Sequence, residues 1–167
     1  MLGEHLRTMA RYNAWANRVL HDRAARLTEA AYRQARPAAF FTSIHGTLNH
    51  LLLVDRLWFG RLAGAPPEGI ESLDQILYDD LPALTAARQA EDERIVRLVD
   101  GLDAAGLAAA CRYTDTQGNP GALPAWQVLT TVFNHQTHHR GQAHALLKDA
   151  GADPPSLDLP VYLRTIA

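Results

Sequence analysis

The chain has 167 residues, 47% of them apolar and 20% charged, with a formal charge of −2. Such a length predicts one domain over residues 1–167, the composition is that of an ordinary globular protein, and no run approaches the roughly 18 uninterrupted apolar residues of a membrane span. A near-neutral balance supplies no global field to hold nucleic acid or anionic lipid, so a nucleic-acid partner and a membrane partner are both unexpected.

The first helical pattern runs from about Leu2 to Leu27 and closes before Thr28, which can cap a short following turn. Leu2, Leu6, Met9, Ala16 and Leu20 form its apolar stripe, and Arg7, Arg11 and Arg18 fall on the opposite side as a solvated face. Asn13 lies inside the apolar stripe, so its amide needs an interior partner. A second helix begins at Thr42 or Ser43, either of which can accept from orphan amides, and stops near Gly64 before Pro66 and Pro67. The connection from Gly64 to Leu81 is expected to hold a short helix around Leu73 to Tyr78. A third helix spans Pro82 to about Val99, with Gly101 at its exit.

Arg112 to Gly121 is rich in turn formers and predicts a hairpin near Gln117-Gly118-Asn119. The fourth helix covers roughly Pro124 to Ala150, closed by Gly151, Pro154 and Pro155. The tail from Leu157 to Ile166 is expected to pack back through Leu157, Leu159, Val161, Tyr162 and Leu163. Long connections let consecutive helices run parallel as well as antiparallel. The fold expected is all-α, a four-helix bundle with long crossover connections.

Cys111 is the only cysteine, which excludes an intramolecular disulfide framework, and nothing at the N-terminus has the form of a signal peptide. The cytoplasm is the expected compartment. Ala108, Ala109 and Ala110 beside Cys111 offer no activating base, so it reads as a small packed residue. Trp15, Trp58, Trp126 and Tyr113 also read as packing residues.

Helical geometry sorts the histidines. With His135 as origin, Val128, Val132, His139, Ala143 and Leu146 fall within about 80° on one side, and His138 about 60° on the other. His135 and His139 therefore share the core-facing stripe, with His138 at its edge. His50 lies next to the stripe of Ile44, Thr47, Leu51 and Leu62 and can reach the interior. His45 and His144 fall on opposite faces and are expected to meet water, while His5 and His21 show no partner spacing. Burying two imidazoles at i, i+4 costs several kcal/mol unless both find partners, and one divalent cation serves both. Core histidines with separate hydrogen-bond partners are the alternative. The spacing does not single out His50 among upstream candidates for a third ligand. Asp55 can accept from an imidazole N–H or join an interhelix salt bridge. Arg140 and Gln142 flank the histidine turn and can orient a substrate or brace neighbouring helices.

At these residues the chain resembles the DinB/YfiT-like family of candidate metalloenzymes. The resemblance is carried by Tyr12-Asn13-Ala14-Trp15-Ala16-Asn17, by His50 with Asp55 and Trp58, by His135 with His139-Arg140-Gly141-Gln142, and by the closing Gly151-Ala152-Asp153-Pro154-Pro155-Ser156-Leu157-Asp158-Leu159 with Tyr162. It runs nearly end to end and implies a four-helix bundle holding a divalent metal cation, zinc or nickel, on His50, His135 and His139. It implies a homodimer in many members, and it does not imply DNA synthesis.

Characterised relatives of that kind include S-transferases and isomerases that use a small cellular thiol. The function expected is transfer of a low-molecular-weight thiol to an electrophilic small-molecule substrate, with Asn13, Arg140 and Gln142 as substrate-binding candidates. Three imidazoles leave one coordination position open. Two alternatives stand beside this reading: a hydrolase that activates water at the same position, and a metal-binding stress-response protein without turnover.

Overall fold

A computed structural model of the chain describes residues 1–37, 39–115 and 118–167. Four long helices carry the architecture: α1 (Leu2–Ala24), α3 (Ile44–Leu62), α4 (Leu81–Asp100) and α6 (Ala125–Asp149). Between and after them lie the short helices α2 (Glu29–Arg33), α5 (Ala104–Ala108) and α7 (Leu159–Leu163), and the strands β1 (Ala110–Thr114) and β2 (Pro120–Pro124). The strands pair antiparallel, Ala110 opposite Pro124 and Thr114 opposite Pro120. The expected hairpin is therefore present; Gln117, at its expected tip, lies outside the described residues.

The helix starts follow local chemistry. Ser43 accepts from the Gly46 amide at the head of α3, and Asp80 accepts from Ala83 at the head of α4, with Pro82 in the first turn. Thr28 accepts from Ala31 to begin α2, and Asp103 accepts from Gly106 to begin α5.

Contacts fix the helix directions. Arg11 meets Asp100, Asn17 meets Asp92 and His21 meets Thr85, so α1 and α4 are antiparallel. Phe59 packs on Phe133, Asp55 accepts from Gln136 and His50 packs on His139, so α3 and α6 are antiparallel. Leu6 lies beside Thr130 and Asn13 meets Arg140, so α1 and α6 run the same way. It follows that α3 and α4, which are neighbours, point in one direction, and the chain between them must return along the bundle. This is the crossover expected from the length of that connection.

The crossover itself differs from expectation: residues Leu73 to Tyr78 form turns rather than a short helix. The reason is that their backbone polar groups bond to side chains of α3. The Leu77 and Tyr78 amides donate to Asn49 Oδ1 at 2.9 and 3.0 Å, and the Leu73 carbonyl accepts from His50. Bonds spent this way are not available for an i to i−4 ladder. The C-terminal segment docks with the Tyr12 hydroxyl donating to the Leu157 carbonyl at 2.7 Å and Tyr162 buried against Tyr12 and Trp15, but Leu163, expected to pack, is 40% exposed at the end of α7.

Two apolar clusters divide the core. One gathers Leu20, Ile44, Leu48, Leu52, Leu84 and Leu147; the other gathers Leu6, Phe59, Ile95, Val99, Leu129 and Val132. A buried polar chain crosses the bundle. Asn17 of α1 donates to Asp92 of α4 at 2.9 Å, Arg88 of α4 forms ion pairs of 2.8 Å with both Asp92 and Asp55 of α3, and Gln136 of α6 donates to Asp55 Oδ1 at 2.7 Å. Burial pushes the Asp55 carboxyl up to about 6 against the opposing pull of the Arg88 guanidinium.

Buried ion pairs of this kind are costly to break from one side, because the remaining charge has no solvent. Replacing Arg88 with Met leaves Asp55 and Asp92 facing each other across an apolar side chain. We expect Arg88→Met to lower unfolding free energy by about 3–5 kcal/mol in urea titrations; a loss below about 1 kcal/mol, the scale of a surface pair, would show that the chain of charges does not hold the helices.

Candidate metal centre

His50 lies on α3, and His135 and His139 lie one turn apart on α6. The relative register of these helices is set by Gln136, whose amide is fully buried and donates to the Leu51 carbonyl at 2.9 Å as well as to Asp55. Locking residue 136 opposite residue 51 brings the Nε2 atoms of the adjacent side chains His135 and His50 together.

The three rings converge. Their centroids lie 5.1, 4.6 and 4.3 Å apart for the pairs 50–135, 50–139 and 135–139. One ring nitrogen from each lies within 4.8 Å of the others, and among the described residues no fourth His, Cys, Asp or Glu joins the group. His50 Nε2 and His135 Nε2 are 3.2 Å apart, close to the roughly 3.3 Å edge of a tetrahedron with metal–nitrogen bonds of about 2.0–2.1 Å. His50 is buried, and His135 and His139 are half-buried.

Proton accounting tests whether a cation fits. His50 Nδ1 donates to the Leu73 carbonyl at 2.7 Å, and His139 Nδ1 donates to Gln142 Oε1 at 2.8 Å. Each neutral ring has one N–H, so both Nε2 atoms then present lone pairs. His135 can satisfy one by donating from Nε2, which leaves its buried Nδ1 without a partner, as observed. The cluster thus holds more inward lone pairs than hydrogens to fill them. A divalent cation would take up the inward Nε2 lone pairs, with the His135 proton then on Nδ1, and the anchored Nδ1–H groups of His50 and His139 are the arrangement that orients metal-binding imidazoles.

Burial keeps the rings neutral. It lowers His50 to about 4, with some opposition from the Leu73 hydrogen bond, and lowers His135 to about 3 with help from the neighbouring imidazoles. His139 is lowered as well, again chiefly by burial. Phe41 stacks on His50 with centroids 3.7 Å apart and meets His139 edge-on at 5.4 Å, shielding one side of the cluster.

The remaining sequence candidates separate by role. His138 is exposed and stays outside the cluster, with its Nε2 accepting from Gln142 Nε2 at 3.1 Å. Gln142 therefore links His138 to His139. Asn13 and Arg140 are both buried and bond to each other between α1 and α6, and Arg140 also stands over the Tyr12 ring. Asp55 takes the interhelix salt bridge rather than an imidazole. Cys111 is buried and free, its thiol pushed up by desolvation, as suits a packed residue.

His45 departs from expectation: it is buried, because α2 covers the outer face of α3 and Tyr32 bonds to His45 Nδ1 at 3.1 Å. His144 is partly covered by the C-terminal segment, 3.1 Å from the Pro155 carbonyl. Periodicity shows the faces of one helix; it does not show that a short helix or tail will cover the outer one.

Gln136, Phe41 and the Leu73 carbonyl were not singled out in the sequence, and neither were Arg88 and Asp92. For Arg88 and Asp92 a signal existed: they interrupt the stripe Leu84, Ile95, Val99 at helical spacing, a position where charge demands partners. Nothing in the sequence marks Leu73, since its contribution is a main-chain oxygen.

The lowered values mean that His50 and His135 take up no second proton, and so stay uncharged, until well below 6.5. Titrating the metal-free protein while observing imidazole resonances by nuclear magnetic resonance should leave both rings neutral between pH 7 and about 5. Midpoints at or above 6 for either ring would contradict the burial that the packing of Phe41 and α6 imposes.

Comparison with known proteins agrees with this fold. The chain is 26% identical to the protein DinB of Bacillus subtilis (strain 168) over 168 residues, covering 91% of this chain and 90% of that protein. The crystal structure of a DinB-like protein from Bacillus subtilis superposes with a TM-score of 0.65 at 17% identity, covering 90% of this chain and 97% of that one, which shows a shared fold. The DinB family model matches residues 1–166, and the chain belongs to the DinB family.

Proposed function

We propose that the protein is a metal-dependent enzyme that transfers a low-molecular-weight thiol to an electrophilic substrate, with His50, His135 and His139 holding a zinc or nickel ion. The observation that carries this reading is the convergence of three neutral imidazoles with unsatisfied inward lone pairs and no fourth protein donor beside them. When bound there, a divalent cation would keep its full charge and favour the thiolate form of a thiol next to it.

The protein's own groups set the stage for that chemistry. Leu73 and Gln142 hold His50 and His139 in the tautomer that turns Nε2 inward. Phe41 excludes water from the face of His50. Of the three substrate-binding candidates, Gln142 is the one in direct contact with the cluster; Arg140 and Asn13 act in this reading as the brace between α6 and α1. We further propose one domain over residues 1–167, a cytoplasmic setting and a homodimer; no helix is long and apolar enough to cross a membrane among the described residues.

Elemental analysis of tag-free protein should give about one divalent ion per chain, lost in His50→Ala, His135→Ala and His139→Ala. The loaded protein should consume an alkylating electrophile only when a thiol is supplied. Cleavage of esters or amides without thiol would favour the hydrolase reading, and undiminished metal in all three variants would remove the site. Gln142→Leu, which strips the acceptor from His139 Nδ1, is expected to weaken metal affinity by roughly 10- to 100-fold without unfolding the protein. An unchanged affinity would show that Gln142 does not orient the ring.

A further inference from the structure

Two imidazoles of the cluster are anchored by unlike partners. His50 Nδ1 faces the Leu73 carbonyl, a main-chain oxygen that can only accept, so the ring's hydrogen stays on Nδ1 as long as that bond stands. His139 Nδ1 faces instead the side-chain amide of Gln142, 2.8 Å from Oε1. A half-turn of that amide exchanges its oxygen for NH2 with little change of shape. His139 Nδ1 would then have to accept, the ring's hydrogen would sit on Nε2 and point into the cluster, and no lone pair would be left there for a cation.

Such a turn has a driving force in the metal-free protein. The cluster holds more inward lone pairs than hydrogens, and an N–H turned inward from His139 would fill one of them. What stands against it is the partner at the other end of the amide. Gln142 Nε2 lies 3.1 Å from His138 Nε2 and, among the described residues, has no other hydrogen-bond partner. His138 is exposed, so its own hydrogen can sit on Nδ1 in contact with water while Nε2 accepts.

The arrangement is built on one stretch of α6. Residues 138 and 139 lie four and three positions before Gln142, spacings that a single helical turn brings together without help from other elements. The His138 and His139 rings stand 4.8 Å apart at 85°, and His138 meets Gln142 without joining the three-ring group.

Resting on the metal-site reading above, we propose that His138 is a positioning residue: by accepting from Gln142 it holds the amide oxygen toward His139 and so keeps His139 Nε2 open to the ion. It touches neither the ion nor the substrate. The histidine of the α6 tract that is left over once two are assigned to the ion is the one that orders the third-nearest link in the chain, the tautomer of its neighbour.

Two measurements at about pH 8 test this, both without turnover. The tautomer of His139 in metal-free protein is read from its ring-nitrogen shifts by nuclear magnetic resonance, and zinc affinity is read by competition with a chromogenic chelator. In the wild type His139 should carry its hydrogen on Nδ1. His138→Leu, which can neither accept nor donate, should move part of that population to Nε2 and weaken zinc binding about three- to tenfold, the scale of one net hydrogen bond. His138→Gln, whose amide oxygen can accept at the same spacing, should return the affinity to within about twofold of the wild type. In a Gln142→Leu background, His138→Leu should weaken binding no further, because its effect runs through the amide.

Four results would overturn the assignment while leaving the three-histidine site standing: a wild-type His139 with its hydrogen on Nε2, a His138→Leu protein that binds zinc as the wild type does, a loss without a tautomer change or without rescue by His138→Gln, and a full further loss in the Gln142→Leu background. Failure of the wild type to bind zinc would instead strike the metal-site reading and this inference with it.

Discussion

The register between α3 and α6 is the constraint on which the site depends, and one buried amide sets it. Gln136 spends its N–H groups on the Leu51 carbonyl and the Asp55 carboxylate, so sliding α6 by one turn would strand a donor, an acceptor and a carboxylate in the core. Each such orphan costs about 1–3 kcal/mol, and more where charge is involved. Apolar packing between these helices tolerates small shifts; the polar lock does not. The same carboxylate continues through Arg88 to Asp92 and Asn17, tying all four long helices into one set of positions.

This arrangement separates two tasks that buried polar groups often share. The charged residues of the core neutralise one another near the middle of the bundle, and the histidines are left uncharged on the adjoining layer. Asp55, five residues after His50, could have served as an imidazole acceptor. Because it is committed to Arg88, the imidazole N–H groups turn to a main-chain carbonyl and a glutamine amide instead, both neutral. Neutral donors and neutral outer partners leave the charge of a bound cation undiminished, which is the electrostatic condition for activating a weak acid beside it.

Much of this was legible in the sequence where a single helix carried the information. The i, i+4 pair His135 and His139 on an apolar stripe, the position of His138 at the edge of that stripe, the inward Asn13 and the four long helices, with Ser43 as a cap, all follow from periodicity and end chemistry. Legibility failed where one element answers to another. His45 reads as solvent-facing until Tyr32 covers it, and Leu73 to Tyr78 reads as helical until Asn49 and His50 draw its amides and carbonyl away. His50 could not be chosen from spacing alone; its place as third member needed the resemblance, and its geometry needed the lock at Gln136.

The central claim is that three Nε2 atoms from two helices meet on one cation and leave a side free. X-ray absorption at the zinc edge of the loaded protein tests it most directly. The account predicts scattering from three imidazoles at about 2.0–2.1 Å, together with a fourth light scatterer that is replaced by sulfur when a thiol is added. Fewer than three imidazoles, or a fourth protein ligand that no added thiol displaces, would contradict it.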